Sequence, residues 1–118
     1  MRDLAPGIVR QRLLVEAVFT VEVDEPFVDR FLRGLAGHLG LRTYAEAMIV
    51  SPAGVGREEN EGFDAFLPLI DSGISLYVWR RSRFLACVLF TCKRFDADRA
   101  VAFIDEAFAT SESTSLTF

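Results

Sequence analysis

Residues 73–92 read GISLYVWRRSRFLACVLFTC. Two apolar runs rich in β-branched and aromatic residues, GISLYVW (73–79) and FLACVLFTC (84–92), flank the charged turn RRSR, and that pattern predicts a β-hairpin. The return run is apolar on both faces, so it should be covered on both sides, by helices on one and by a second sheet or another subunit on the other. Cys87 and Cys92 lie five positions apart in it, an odd spacing that points their side chains to opposite faces. Neighbours on one strand are poorly placed for a disulfide, so reduced thiols are expected.

On the N-terminal side, LLVEAVFTVEV (13–23) reads as a strand with one wetter face marked by Glu16, Thr20 and Glu22. Asp24, Glu25 and Pro26 then have the chemistry of a helix start. Phe27, Phe31 and Leu35, with Val28, Leu32 and Leu39 beside them, give that helix an apolar face, and Gly40 is a reasonable stop. Residues 41–50 read as a second strand. SPAGVGREENEG (51–62) reads as a loop, of a length that marks either mobility or function. FDAFLPLI (63–70) reads as a strand that Pro68 should confine to an edge or a bulge.

On the C-terminal side, Asp96 should cap a helix over residues 97–109 with Ala100, Phe103, Ile104, Ala107 and Phe108 toward the core. A short last strand is expected at residues 115–118. The sum is an α/β (α+β) fold: a single domain, 1–118, built as a two-layer sandwich with a mainly antiparallel sheet and two helices on one face.

With 118 residues, 51% of them hydrophobic and 25% charged, the chain is long enough for one core and too apolar for disorder. Eleven Phe residues exceed what that core needs, and leave some for a ligand site or a subunit interface. A net charge of −4 with no basic stripe argues against nucleic acid as a partner. No apolar run has membrane length, and MRDLAPGIVRQR lacks a signal-peptide core, so a cytoplasmic location without a membrane partner is expected. No metal-ligand cluster is evident.

The segment DSGISLYVWRRSRFLACVLFTC (71–92) resembles the active-site hairpin of prokaryotic S-adenosylmethionine decarboxylases. There an acid–Ser–His tripeptide opens a strand, a His and a Trp-Pro-Glu follow, and the return strand ends in Phe-Thr-Cys. Asp71 and Ser72 match the acid–Ser pair, Trp79 the tryptophan, and Phe90, Thr91 and Cys92 the end. RLLVEAVF near the N-terminus resembles the family's first strand, and the likeness runs over roughly residues 10–110. The resemblance implies self-cleavage at the acid–Ser bond. The serine then becomes a pyruvoyl group, which takes up the electrons released as carbon dioxide leaves, and a cysteine reprotonates the carbon. The chain departs from this pattern where Gly73 follows the serine, where Tyr77 stands for the processing histidine, and where Trp79-Arg80-Arg81 replaces Trp-Pro-Glu. Tyrosine is a poor substitute for imidazole near neutral pH. The one histidine, His38, falls in the first helix.

Each candidate therefore carries two readings. Ser72 is a pyruvoyl precursor or an ordinary turn serine. Cys92 is a general acid or a small buried residue, whereas Cys87 reads as core. Tyr77 is a weak acid or ligand contact, or a cross-strand aromatic. Trp79 stacks on adenine or faces the sulfonium, or packs at a hairpin end. Asp71 and Glu16 bind the substrate amine or ribose, or are simply solvated. Arg80 and Arg81 grip a carboxylate, or form a solvated turn. Three functions compete. The preferred one binds S-adenosylmethionine without a cofactor and displaces methylthioadenosine intramolecularly. The second is a decarboxylase with a pyruvoyl group made from Ser72, and the third is a non-catalytic binding or regulatory relative. The doubly apolar strand and the surplus Phe predict a homodimer.

Overall fold

The computed structural model describes residues 1–51 and 61–118, so the expected loop at 51–62 lies outside the described residues over 52–60. The chain runs β1 (Gln11–Val18), α1 (Glu25–His38), β2 (Met48–Val50), β3 (Gly62–Leu69), β4 (Ser72–Trp79), β5 (Phe84–Thr91), α2 (Ala97–Phe108) and β6 (Glu112–Thr117). The strands form one sheet in the order β2-β3-β4-β5-β1-β6, and every neighbouring pair is antiparallel. This is the expected α+β class, with β5 inside the sheet between β4 and β1.

Alternation sets the two faces. Leu13, Val15 and Ala17 of β1, Leu67 and Leu69 of β3, Ile74, Leu76 and Val78 of β4, and Leu85, Cys87 and Leu89 of β5 are buried in one cluster with the helices. From α1 that cluster takes Val28, Phe31, Leu32 and Leu35, and from α2 Ala100, Ile104 and Phe108. Phe108 sits at its aromatic centre, with ring centroids 4.7 Å from Phe31, 5.1 Å from Phe27 and 5.8 Å from Phe19. Burying each such ring contributes roughly 1.5–3 kcal/mol. Both helices are capped as their sequences require. Asp24 accepts from the Phe27 N–H at 2.9 Å and Asp96 from the Arg99 N–H at 3.1 Å.

Several boundaries move for identifiable reasons. The first strand spans 11–18 and not 13–23, because the Phe19 and Thr20 N–H groups donate to the carbonyls of Arg83 and Phe108 and lead the chain off the sheet. The strand expected over 41–50 shrinks to Met48–Val50 plus a single bridge from Thr43 to Leu69. Pro68 explains the gap. The Thr43 hydroxyl donates to the Pro68 carbonyl at 2.8 Å, so the side of Pro68 that lacks an N–H faces β2, where a ladder would need one. The last helix ends at Phe108, with Ala109 in a left-handed conformation (φ 46°), and the final strand is longer than expected, 112–117. Cys92 lies just past β5 rather than within it.

Among the described residues, the other face of the sheet carries no helix. Reading across the register, Met48, Phe66, Ser75, Val88, Leu14 and Leu116 form one row. Asp64, Tyr77, Ala86, Glu16 and Thr114 form the next. Met48, Phe66, Phe90 and Leu116 are exposed there, so among the described residues β5 is covered on one side only. No helix among the described residues is long and apolar enough to cross a membrane.

Candidate functional site

Site candidates fall at the two ends of the β4–β5 hairpin. At the first end, Ser72 opens β4 in register with Thr91, the last residue of β5. The hairpin register therefore brings Asp71, Ser72 and Cys92 together, and the Cys92 N–H donates to the Asp71 carbonyl at 2.9 Å. Ser72 holds φ at 123°, a region that L residues avoid and glycine tolerates. Strain of this kind costs about 1–3 kcal/mol and persists where the surrounding structure over-determines it. Here the β3–β4 and β4–β5 ladders grip both sides of the residue. Cys92 is exposed, whereas Cys87 is fully buried and its thiol is pushed up to about 12 by that burial. The Cys87 thiol is therefore protonated and inert through the neutral range.

One feature of this end has no counterpart in the sequence reading. A Cβ added at Gly73 would lie 2.4 Å from Cε1 and 2.5 Å from Cζ of Phe66. The Phe66 ring thus occupies the space that a side chain after Ser72 would fill. Sequence pattern alone cannot find this contact, because it arises from the β3–β4 register, in which Phe66 pairs with Ser75.

At the opposite end, Trp79 and Phe84 pack at 5.2 Å between ring centroids. Beside Phe84, an open groove of about 290 Å³ is lined by Glu16, Val18, Glu112 and Thr114 among others. Two carboxylates in a groove with the Phe84 ring suit a cationic ligand, through charge and through the ring face. Glu16 thus lines a groove with Phe84, on which Trp79 packs, and Glu112 is a lining carboxylate that the polar C-terminal sequence gave no reason to select. Tyr77 is exposed one row inward, separated from Glu16 by Ala86. The two ends are not one site within a single chain, since Ser72 and Trp79 are seven residues apart on one strand, roughly 23 Å.

The remaining candidates are occupied elsewhere. Arg80 pairs with Glu61 at 2.9 Å and lies 5.9 Å from the Phe63 ring centroid, which makes it part of the turn. His38 is exposed on α1 against Phe103, 5.1 Å between rings, on the helical side of the sheet. Among the described residues no three His, Cys, Asp or Glu side chains are grouped as metal ligands.

The family model described as S-adenosylmethionine decarboxylase matches residues 15–118. A crystal structure of the adenosylmethionine decarboxylase from Aquifex aeolicus VF5 is similar over 94% of this chain and 89% of that one, with a TM-score of 0.73 and 16% identity. At that identity the likeness speaks for the fold. No curated protein matches the chain.

Proposed function

Because the chain belongs to the S-adenosylmethionine decarboxylase family, we propose that it binds S-adenosylmethionine on the open face of the sheet and, uncut, releases methylthioadenosine from it. The groove at Glu16, Phe84 and Glu112 beside Trp79 carries this reading. It offers ring faces to adenine and to the sulfonium, and carboxylates to the ribose hydroxyls or the ammonium. A methionyl arm held curled brings its own carboxylate oxygen to the γ-carbon. The oxygen–carbon bond forms as the carbon–sulfur bond breaks, and the electron pair leaves with sulfur. The products are neutral methylthioadenosine and protonated homoserine lactone, so no external acid, base or electron sink is required.

The residues suit a pyruvoyl precursor only in part. Ser72 is at the matching position, but Gly73 and Tyr77 stand where the family has histidines, and the one histidine, His38, is on α1. One observation favours the second reading, a processed decarboxylase. The strained Ser72 follows a carbonyl that already accepts the Cys92 N–H, and such a donor would stabilise charge developing on that oxygen.

Intact mass before and after incubation with S-adenosylmethionine separates these readings. The expected result is one full-length mass together with free methylthioadenosine. Fragments of residues 1–71 and 72–118, with carbon dioxide as product, would replace this proposal by the processed decarboxylase. A single mass with no turnover would leave a binding protein.

The apolar row Met48, Phe66, Val88, Leu14 and Leu116 further supports a homodimer built face to face on the sheet. A twofold axis lying between the two sheets and running across β4 would set the Trp79 end of one copy across from the Ser72 end of the other, and so join the two halves of the candidate site. Light scattering at about 10 μM should give twice the 13.2 kDa chain mass, and Val88→Lys, which puts a charge in the middle of the row, should return it to one. A wild-type monomer at that concentration would remove the dimer.

A further inference from the structure

We propose that the cavity between residues 1–10, the start of β1 and the turn from β5 to α2 binds a small oxyanion through Arg12 and Arg94. The cavity has a volume of about 320 Å³, and Arg2, Arg10, Arg12 and Arg94 line it with a single acid, Asp3. That acid is already engaged. The Ala5 N–H and Arg10 hold the Asp3 carboxyl below its usual range, and Arg10 also donates to the Ala5 carbonyl at 3.3 Å. Among the described residues Arg2, Arg12 and Arg94 have no ion-pair partner. Three guanidinium groups without an ion pair around one cavity, of which Arg12 alone feels the Asp3 charge at longer range, run against the trend of a chain with net charge −4.

Arg12 supplies the second observation. Its Nε is buried and has no hydrogen-bond partner, so a residue that lines the cavity keeps an unmet donor. Its guanidinium lies 5.5 Å from the Phe118 ring centroid, a contact that restrains the plane of the fork. A planar fork so restrained, with a second arginine nearby, matches the bidentate geometry of a phosphate or a carboxylate. Arg12 pairs in register with Phe90, which pairs with Gly73, so the cavity borders the Ser72 end of the open face, about 10 Å across two strand spacings. The inference does not depend on S-adenosylmethionine being the ligand of that face.

Calorimetric titration of the full chain, at constant ionic strength set with chloride, tests it with two probes: inorganic phosphate and acetate. Saturable binding of at least one is expected, with a dissociation constant of about 1 mM or tighter. Phosphate alone would assign a phosphate ligand, and acetate alone a carboxylate. Arg94→Gln, an exposed change that leaves the core untouched, should weaken binding at least about tenfold, and Arg12→Gln should do the same. Arg30→Gln, exposed on α1, should leave it unchanged. Absence of saturable binding by either probe would overturn the proposal, as would binding that Arg94→Gln and Arg12→Gln leave within about twofold.

Discussion

Gly62→Ala should unfold the chain or bring it close to unfolding. A Cβ at this position would lie 1.7 Å from the Val78 carbonyl oxygen and 2.7 Å from its carbon, and both of those are backbone atoms. No rotamer change can relieve such a contact, so β3 and β4 must separate where Gly62 pairs with Trp79. β3 carries Phe63, Ala65, Leu67 and Leu69 into the core, and β4 carries Ile74, Leu76 and Val78. Parting the two strands therefore opens the sheet near its middle. The expected loss is about 4 kcal/mol or more, a large share of the roughly 5–15 kcal/mol that holds a domain of this size. In thermal unfolding that is a fall of more than about 12 °C. Gly37→Ala is the matching control: nothing lies within 4 Å of its added Cβ, and the residue is in α1. It should be neutral or stabilise by up to about 1 kcal/mol. A Gly62→Ala protein melting within about 3 °C of the parent would mean that the strands are less closely coupled here than the register implies.

The contrast between these two glycines shows where sequence reading stops. Elements whose cause is local were legible. The Asp24–Pro26 start and the Phe27, Phe31, Leu35 spacing give α1, Asp96 gives α2, and two apolar runs around RRSR give the β4–β5 hairpin. Features caused by pairing were not. Gly62 appeared only as the end of a loop, although its role is set by its pairing with Trp79 at the far end of β4. The first strand was drawn too long because Val21 and Val23 have strand-like chemistry, yet their neighbours' N–H groups go to a turn and a helix end. The site divides in the same way. Asp71, Ser72 and Cys92 could be brought together from the hairpin, because its register follows from the turn. Sequence placed Trp79 and Tyr77 on the same strand as Ser72, but the separation of its two ends follows only once β4 is seen to run unbroken from Ser72 to Trp79. Arg12 and Phe66 stayed hidden because their neighbours, Phe118 and Gly73, are reached through other strands.

Phe66 leads to the second large effect. Replacing Gly73 and Tyr77 by histidine restores the imidazoles that the resemblance calls for, yet Gly73→His with Tyr77→His should leave the chain largely uncut. The Phe66 ring stands 2.4 Å from where the new Cβ must go. Those ring atoms are the free end of a side chain that is 39% exposed, so the ring can swing aside for about 1 kcal/mol, and stability should change little. The displaced ring still lies beside the imidazole over β4 and restricts the rotamers it can take. Adding Phe66→Ala removes that ring. A general base within reach is worth about 10²–10⁴ in rate, so the triple variant should begin to accumulate fragments of residues 1–71 and 72–118 where the double variant does not. The strained φ of Ser72 and the Cys92 N–H on the Asp71 carbonyl are already in place to assist that cut. Intact mass over a time course reads the outcome. Equal cutting of the double and triple variants would show that Phe66 does not exclude the imidazole. No cutting in either would show that more than two histidines and one phenylalanine separate this chain from a self-processing one.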